Sequence, residues 1–541
     1  APNLINGYIG TFPTAVAAGY NPNPAAPPID FVDSQGNVYQ QGFMQLLRRN
    51  VEGGPRLSDL QHTNFRSVFG SKGNLGNAWT YDAYYQYGRS NYSQVYSNEF
   101  SVARLTRALN AFTDDRPGSA TFGQVVCRSV IDGSDPSCVP FNVFGGAGAV
   151  TPEQIAYLSA TGFQKGHTSE QVANASFTGR LGEYGFKTPW AEDGVAVNFG
   201  FEWRKESLEL KTDNAFQTGD LTGQGGATLP LSGNFRVYEF FGETRVPLVQ
   251  DSFFYDLTFS GGYRRSSYKT SADRKYDTDT YKLALEFAPI RDIRLRGSYN
   301  RAVRAPNIQE LFATPTVGLN GASDPCAGAP ITATNYGCLA QGFTVGQGTT
   351  ANPAGQYNGL IGGNPDLTPE KATTKTVGIV LQPSFLPRFS LTVDYFDIKL
   401  KDAIQPPAQD AILKDCVLNA TATVTPVSCG LIHRDAAGSL WLTPGGYVDN
   451  IPTNQGQVRT KGIEVNSAYS RPIGDAGTLS LSFIGTYLDK YQVNNGITEV
   501  YDCAGYYGPV CSAGGTTAGG AMLPKWRHKM RTSFQMSNGI G

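Results

Sequence analysis

Val195-Ala-Val-Asn-Phe-Gly-Phe-Glu-Trp-Arg204 alternates between two residue sets. Val195, Val197, Phe199, Phe201 and Trp203 make one set; Ala196, Asn198, Gly200, Glu202 and Arg204 make the other. A period of two places each set on its own face of a β-strand. The split recurs at Ile293, Leu295, Gly297 and Tyr299 against Arg294, Arg296, Ser298 and Asn300. It recurs again at Leu479, Leu481, Phe483, Gly485 and Tyr487 against Ser480, Ser482, Ile484 and Thr486. One face is apolar and ends in aromatics, and the other is polar and often charged. A soluble sandwich buries its apolar face in a core, whereas a membrane barrel turns that face to lipid and its polar face to a lumen. Periodicity alone does not separate the two.

Connection lengths do. The same reading along the chain predicts strands at 58–72, 78–108, 169–186, 195–215, 234–250, 253–271, 276–290, 293–312, 367–384, 390–405, 456–473, 478–494 and 525–539. Short connections at 73–77, 187–194, 251–252, 291–292, 385–389 and 474–477 then alternate with 109–168, 216–233, 272–275, 313–366, 406–455 and 495–524. All but 272–275 in the second set are long. Short turns at one end and long loops at the other are the layout of an outer-membrane barrel. The fold class expected is all-β, a transmembrane antiparallel β-barrel. An odd strand count and a chain that stops just after a strand lead us to expect an incomplete barrel.

Composition agrees. Lys and Arg number 44 against 45 Asp and Glu, a net charge of −1 that gives no electrostatic reason for a nucleic-acid partner. Charged residues are only 16%, while 63 Gly and 12% aromatics suit a Gly- and Tyr-rich β-protein. Mean hydropathy is −0.28, and no apolar run approaches the roughly 18 residues of a membrane helix. Abundant aromatics at near-zero net charge argue against disorder. The chain opens at Ala1 with no signal-like region, so a mature, processed or truncated polypeptide is expected.

The cysteines fall two to a long loop: Cys127 and Cys138, Cys326 and Cys338, Cys416 and Cys429, Cys503 and Cys511. Confinement of each pair to one loop selects four local disulfides, hence an oxidising compartment. No C-x-x-C occurs and no His stands at zinc-finger spacing, so no metal is expected there. Motifs H-E-x-x-H, G-x-S-x-G and the P-loop are absent, and the chain is not read as an enzyme; no cofactor is expected. His62 and His528 fall on strands, His167 and His433 on loops. The Gly-rich run Phe144 to Val150 lacks the third Gly of a dinucleotide loop. Asp273, Asp277 and Asp279 suit either a cation or a solvated acidic turn.

Tyr299-Asn-Arg-Ala-Val-Arg-Ala-Pro-Asn-Ile-Gln-Glu-Leu-Phe312 and Gly362-Gly-Asn-Pro-Asp-Leu-Thr-Pro-Glu370 bring in a family resemblance. Together they resemble the barrel of TonB-dependent outer-membrane receptors, in which such segments bracket one extracellular loop. Arg304, Ala305, Pro306, Asn307, Glu310, Leu311 and Phe312 carry the first motif, with Val303 where Phe is common. Asn364, Pro365, Leu367, Pro369 and Glu370 carry the second. Val51 to Arg56, Phe141 to Gly148 and Ser390 to Ile398 are further matches, similar to large receptors of caulobacter, sphingomonad and xanthomonad type.

The resemblance implies a 22-stranded barrel in the bacterial outer membrane, occluded by an N-terminal plug. It implies active uptake of a scarce, bulky nutrient, energised by the TonB–ExbB–ExbD complex through that plug, with outer-membrane lipid around the wall. Measured on that plan, the sequence lacks the plug, the TonB box, about five early strands and about four final ones. Residues 1–57 then read as an extracellular loop lead-in, and 58–541 as a partial barrel.

Pro306 lacks an N–H, so strand pairing should loosen there, and Pro365 and Pro369 mark re-entry into the wall. Arg304 and Glu370 lie near matching ends of neighbouring strands, placed either to pair across the lumen mouth or to be solvated separately. Alternation turns Glu202, Arg204, Arg294, Arg296 and Asn300 inward as ligand-binding candidates. Tyr336, Tyr357, Trp441 and Tyr447 are loop aromatics that can stack on a ligand or pack the loops over the barrel. Siderophore, vitamin, oligosaccharide and peptide all remain open as ligands. A passive porin, or a soluble secreted adhesin or glycan-acting protein, is the alternative.

Overall fold

In a computed structural model, residues 51–538 are described apart from 225, 322, 353, 498, 508–510 and 512–522, together with 29–32 and 38–41. Most of the 1–57 lead-in therefore lies outside the described residues. Thirteen long strands build the wall. They are β1 (Leu57–Leu75), β2 (Trp79–Phe100), β3 (Ser159–Arg180), β4 (Ala196–Thr212), β5 (Leu231–Gln250), β6 (Asp256–Thr270) and β7 (Lys275–Ile290). There follow β8 (Ile293–Arg304), β9 (Glu370–Leu381), β10 (Phe389–Gln405), β11 (Thr453–Ile473), β12 (Gly477–Asn494) and β13 (Trp526–Met536).

Each strand pairs antiparallel with its neighbours in sequence, a single meander to which the two-residue strand Tyr501–Asp502 adds at β12. Among the described residues no pairing joins β1 to β13. Thirteen long strands match the thirteen expected, in the same order.

The two faces are unlike. Along β5, Phe235, Val237 and Glu239 are buried while Arg236, Tyr238 and Phe240 are exposed. Register carries that outward set from strand to strand: Phe177 faces Phe199, Phe201 faces Phe240, and Leu285 faces Gly297 and Phe259. The apolar outward band is bare in the isolated chain, with Val377 and Phe240 both 65% exposed. From Trp79 to Tyr87 it runs about 26 Å along the strand, enough to cover a hydrocarbon layer. Aromatics border it on both sides. Trp190, Phe253 and Phe254 form edge-to-face contacts at the turn end, and Tyr281 stacks on Tyr299 toward the loops.

Three strand boundaries differ by about eight residues or more from the reading of the sequence. Residues 102–108 do not extend β2 but form helix α1 (Val102–Leu109), because the Ser101 side chain accepts from the Arg104 N–H and turns the chain. Strand β3 starts at Ser159, ten residues early, after helix α2 (Pro152–Leu158) with its Thr151/Gln154 capping box. His167 is therefore on the wall and not in a loop. Strand β8 ends at Arg304, two residues before Pro306, and helix α3 (Ile308–Phe312) takes the rest.

The cores sit at the loop end. Phe100, Leu105, Leu158 and the Cys127–Cys138 disulfide pack the loop after β2. A second core joins the loops after β8 and β10, around Tyr357, Ile412, Leu413, Leu440 and Trp441, with the Cys416–Cys429 bridge inside it. Helices α4 (Tyr336–Ala340) and α5 (Gln409–Asn419) touch there. All four expected disulfides form, Cys326–Cys338 and Cys503–Cys511 being the others.

Candidate ligand-binding site

Inward side chains of β4 to β8 line a cleft of about 790 Å³. Its walls carry Glu202, Arg204 and Asn300, and also Glu239, Arg264 and Tyr268. Glu239 is almost fully buried, held by the Arg264 guanidinium at 3.2 Å and by the Ser266 hydroxyl at 2.5 Å. Arg264 also lies over the Phe241 ring, 4.7 Å from its centroid. Glu202 accepts from Asn174 Nδ2 at 3.2 Å, and Arg204 approaches Glu206 at 3.6 Å.

Gly262 stands between Glu243 and Lys282 in one cross-strand row. With no side chain there, the Glu243 side chain leans over the glycine, its Cγ 3.3 Å from where a Cβ would lie. Glu243 and Lys282 form no ion pair among the described residues. Both charge signs thus face the cleft, together with hydroxyls and aromatic faces, which suits a polar ligand carrying donors and acceptors.

Tyr268 and Tyr276 stack at 5.2 Å above the cleft, and Phe235, Val237, Ala305 and Ile308 pack against them. Helix α3 is thereby seated on the wall, with Phe312 filling the space beside Gly233. The two family motifs build the mount for this helix. Arg304 Nε donates to Glu370 at 2.6 Å, and its Nη1 and Nη2 donate to Glu310 at 2.9 and 3.1 Å. Asn307 and Glu310 close a capping box, while Glu370 also accepts from the Ile404 N–H at 2.6 Å. Asn364 donates from its backbone to the Glu310 carbonyl, and its side chain donates to the Pro452 carbonyl. Leu311 and Leu367 are buried between these arms. Ala305 packs in the cluster under Ile308, and the N–H-free Pro306, Pro365 and Pro369 sit where the chain leaves and rejoins the wall.

The other candidates separate. Arg294 and Arg296 do face inward, but at the turn end of β8, where Arg294 bridges Glu286 at 2.6 Å and Arg296 grips Asp394 with two hydrogen bonds. They sit away from the loop-end mouth and brace the wall. Tyr357 and Trp441 are buried in the loop core; the Tyr357 hydroxyl accepts from Asn352 N and Trp441 Nε1 donates to the Thr350 carbonyl. Tyr447 is half-buried against His433 at 4.7 Å, and only Tyr336 is exposed.

Asp277 and Asp279 are bridged by Arg265, and Asp273 by Lys269, so ion pairs take the place of a cation site. Among the described residues no group of His, Cys, Asp and Glu is placed to hold a metal ion. Sequence reasoning missed Glu239, Arg264 and Tyr268. In Phe235-Arg-Val-Tyr-Glu-Phe-Phe241 both sets contain aromatics and charges, so the period gives no face.

An antiparallel wall with a lipid-type apolar band, a polar interior and disulfide-braced loops at one end has the layout of an outer-membrane β-barrel. The TonB dependent receptor-like β-barrel family model matches residues 6–537, and the chain belongs to that family. It is an outer-membrane family of receptors and transporters, not enzymes. No curated protein matches the chain.

Among solved structures, a ferric enterobactin receptor mutant from Pseudomonas aeruginosa is 15% identical, over 80% of this chain and 46% of that one, with a TM-score of 0.45. The RagAB peptide transporter is 11% identical, over 85% and 40%, with a TM-score of 0.43. A siderophore receptor from Acinetobacter baumannii is 14% identical, over 87% and 55%, with a TM-score of 0.41. The chain spans about half the length of these structures.

Proposed function

We propose that this wall and its braced loops form the ligand-recognition barrel of an energised importer that takes up a bulky, scarce, polar nutrient. The TonB–ExbB–ExbD complex would drive it through a plug, and residues 58–541 are the barrel portion of that machine. The observation that carries the reading is the mixed-charge cleft beneath α3, on the inner face of the wall of a chain that belongs to this family. Glu239 and Arg264 hold each other in place, leaving Glu243 and Lys282, on either side of Gly262, to meet a ligand. A ligand with both donors and acceptors fits that row better than a compact polyanion.

The test is accumulation of a panel of ferric siderophores, oligosaccharides and peptides by cells with and without the gene. Uptake of one class should stop when a protonophore collapses the proton gradient, and should fall in the Glu243→Gln/Lys282→Gln variant. Uptake that persists without the gradient, for solutes of any chemistry below a size limit, would establish a passive pore instead.

A further inference from the structure

The long loops gather at the cleft's end of the wall as two bodies, each fastened by a buried carboxylate. The loops after β2 and β4 make the first. Val102 N donates to the Asp220 carbonyl at 2.9 Å, and Thr222 N to the Phe100 carbonyl at 3.0 Å. Phe216 and Leu221 are buried there, and the Asp220 carboxylate accepts from the Ala103 N–H at 2.8 Å. Glu99, only 1% exposed, reaches from the top of β2 to accept from the Thr222 hydroxyl at 2.9 Å and the Gly223 N–H at 2.6 Å. Arg56 approaches the same carboxylate at 3.6 Å beside Gly223, where a Cβ would strike both side chains.

The loops after β8 and β10 make the second. Short strands from both, Thr316–Gly321, Tyr357–Ile361, Tyr447–Asp449 and Ile432–His433, form one four-stranded sheet, in which Gly359 pairs in parallel with Val448. Asp324 of one loop and Arg434 of the other make a two-bonded ion pair, each bond 2.8 Å, with side chains 1% and 4% exposed. The guanidinium directs its other donors to Gln341 Oε1 and the Gly438 carbonyl, and lies 4.7 Å over the Phe343 ring. Separating these two loops would leave both charges buried without a partner, which binds them into one unit.

The line between the two bodies is weak by comparison. Among the described residues one hydrogen bond crosses it, from the Thr314 hydroxyl to the Pro230 carbonyl at 3.2 Å. Gly226 lies against the Val317 carbonyl, 2.9 Å from where its Cβ would be, and brings no side chain to the contact. Pro230 leads into β5 and Thr314 follows α3, so this line runs above the strands that carry the cleft. The second body also joins the wall through narrow necks. In the first, the Gly363 N–H donates to the Ala313 carbonyl at 2.6 Å and Gly362 packs on Pro315. In the second, Pro406, Pro407 and Pro452 have no N–H with which to extend the wall's ladder. Below the necks Arg304, Glu310 and Glu370 keep α3 on the wall. Bending is thereby confined to a few loop residues, the usual make-up of a hinge.

We infer that the loops after β8 and β10 swing as one rigid body about these necks, and that the way into the cleft opens between Gly226–Pro230 and Thr314–Val317. The loops after β2 and β4 stay with the wall as the fixed side, and neither loop of the moving pair opens alone. Entry of a solute by this route rests on the reading of the cleft as its binding site; the motion of the two bodies does not.

The test uses the full-length protein in outer-membrane vesicles, with pairs of nitroxide labels whose separations are read by double electron–electron resonance. All eight native cysteines are bridged, so added cysteines take the label selectively. Phe122→Cys/Val345→Cys spans the line, and Val345→Cys/Val424→Cys joins the two loops of the second body; all three sites are exposed. Phe144→Cys/Leu418→Cys, also exposed, replaces the spanning pair if that variant fails to fold. The spanning distances should spread about twofold or more wider than those within the body. Thr314→Val should widen the spanning distribution further and leave the other unchanged, whereas Asp324→Asn should widen the one within the body. Equal widths for the two pairs, with and without Thr314→Val, would overturn the inference, whether both are narrow or both broad. Two-body distances alongside failure of every solute in the uptake panel would support the motion and remove only the binding-site reading.

Discussion

Removing the Glu370 carboxylate should unseat the loop mount while leaving the wall intact. Glu370 is buried, and it accepts from both Arg304 Nε and the Ile404 N–H at 2.6 Å. In Glu370→Ala the Ile404 N–H loses a charge-assisted partner, a loss of about 1.5–3 kcal/mol. The Arg304 side chain is 45% exposed and keeps Glu310, so its lost ion pair adds only up to about 1 kcal/mol. The local cost is then about 2–4 kcal/mol, and Glu370→Gln, which keeps an acceptor, should cost about half as much.

Hydrogen exchange reads this directly. The Ile404 amide should exchange roughly 10-fold or more faster in Glu370→Ala and the amides of α3 up to about fivefold faster, while those of mid-wall β8 and β9 hold their protection. Unchanged exchange at Ile404 would refute the reasoning, and so would a larger effect at Ile404 from Glu310→Ala than from Glu370→Ala.

Three further outcomes follow from the loops. Trp441→Ala opens a cavity in the joint loop core and should lower that core's stability by about 3–5 kcal/mol, seen as a separate early melting step. Replacing Cys416 and Cys429 together by Ala frees a loop of 13 residues and should cost up to about 3 kcal/mol, measured by comparing oxidised and double-variant melting. Asp135 is held down at about 2 by hydrogen bonds from Ser137 and Tyr157 and by Arg107. A depressed carboxylate stabilises fully above its ordinary value near 3.9. Proteolysis of the loop after β2 should therefore quicken as pH falls from about 4 toward 2, and an Asp135→Asn variant should lose that pH dependence.

The wall was legible because its two solvents differ. Between the rings, Val197, Phe199 and Phe201 meet one environment and Asn198 and Glu202 another, and a period of two records the difference. The same signal fails where both faces are wet or both are covered. Residues 102–109 space Val102, Leu105, Ala108 and Leu109 at helical intervals, and a Ser101 cap with that apolar face packed toward Leu158 makes them a helix and not the end of a strand. Face was readable and height was not, which is why Arg294 and Arg296 fell in with the cleft although they sit at the turn end. The loop aromatics illustrate a further limit: nothing in a loop's local pattern distinguishes Trp441, buried among Ile412 and Leu440, from the exposed Tyr336. That distinction is made by chain segments some 80 residues apart meeting across the loop core, as Trp441 Nε1 meets the Thr350 carbonyl at a separation of 91.

The motif residues gain a physical meaning from the same geometry. Arg304 and Glu370 are the last wall residues on either side of a loop of more than 60 residues, and register pairs them directly. A loop of that length has a large closure entropy, so its position over the lumen has to be set at its base. Arg304 supplies five donors in a fixed fork, which lets one side chain hold Glu370 on the wall and Glu310 on α3 together. Lysine at 304 could satisfy only one of those geometries at a time. Arg304→Lys should therefore keep the charge and the wall, but free α3 from it, raising exchange at Asn307 to Phe312 while leaving β8 and β9 protected. If α3 stays protected in that variant, the packing of Ile308 and Phe312 on the wall is sufficient, and the fork is not what seats the loop.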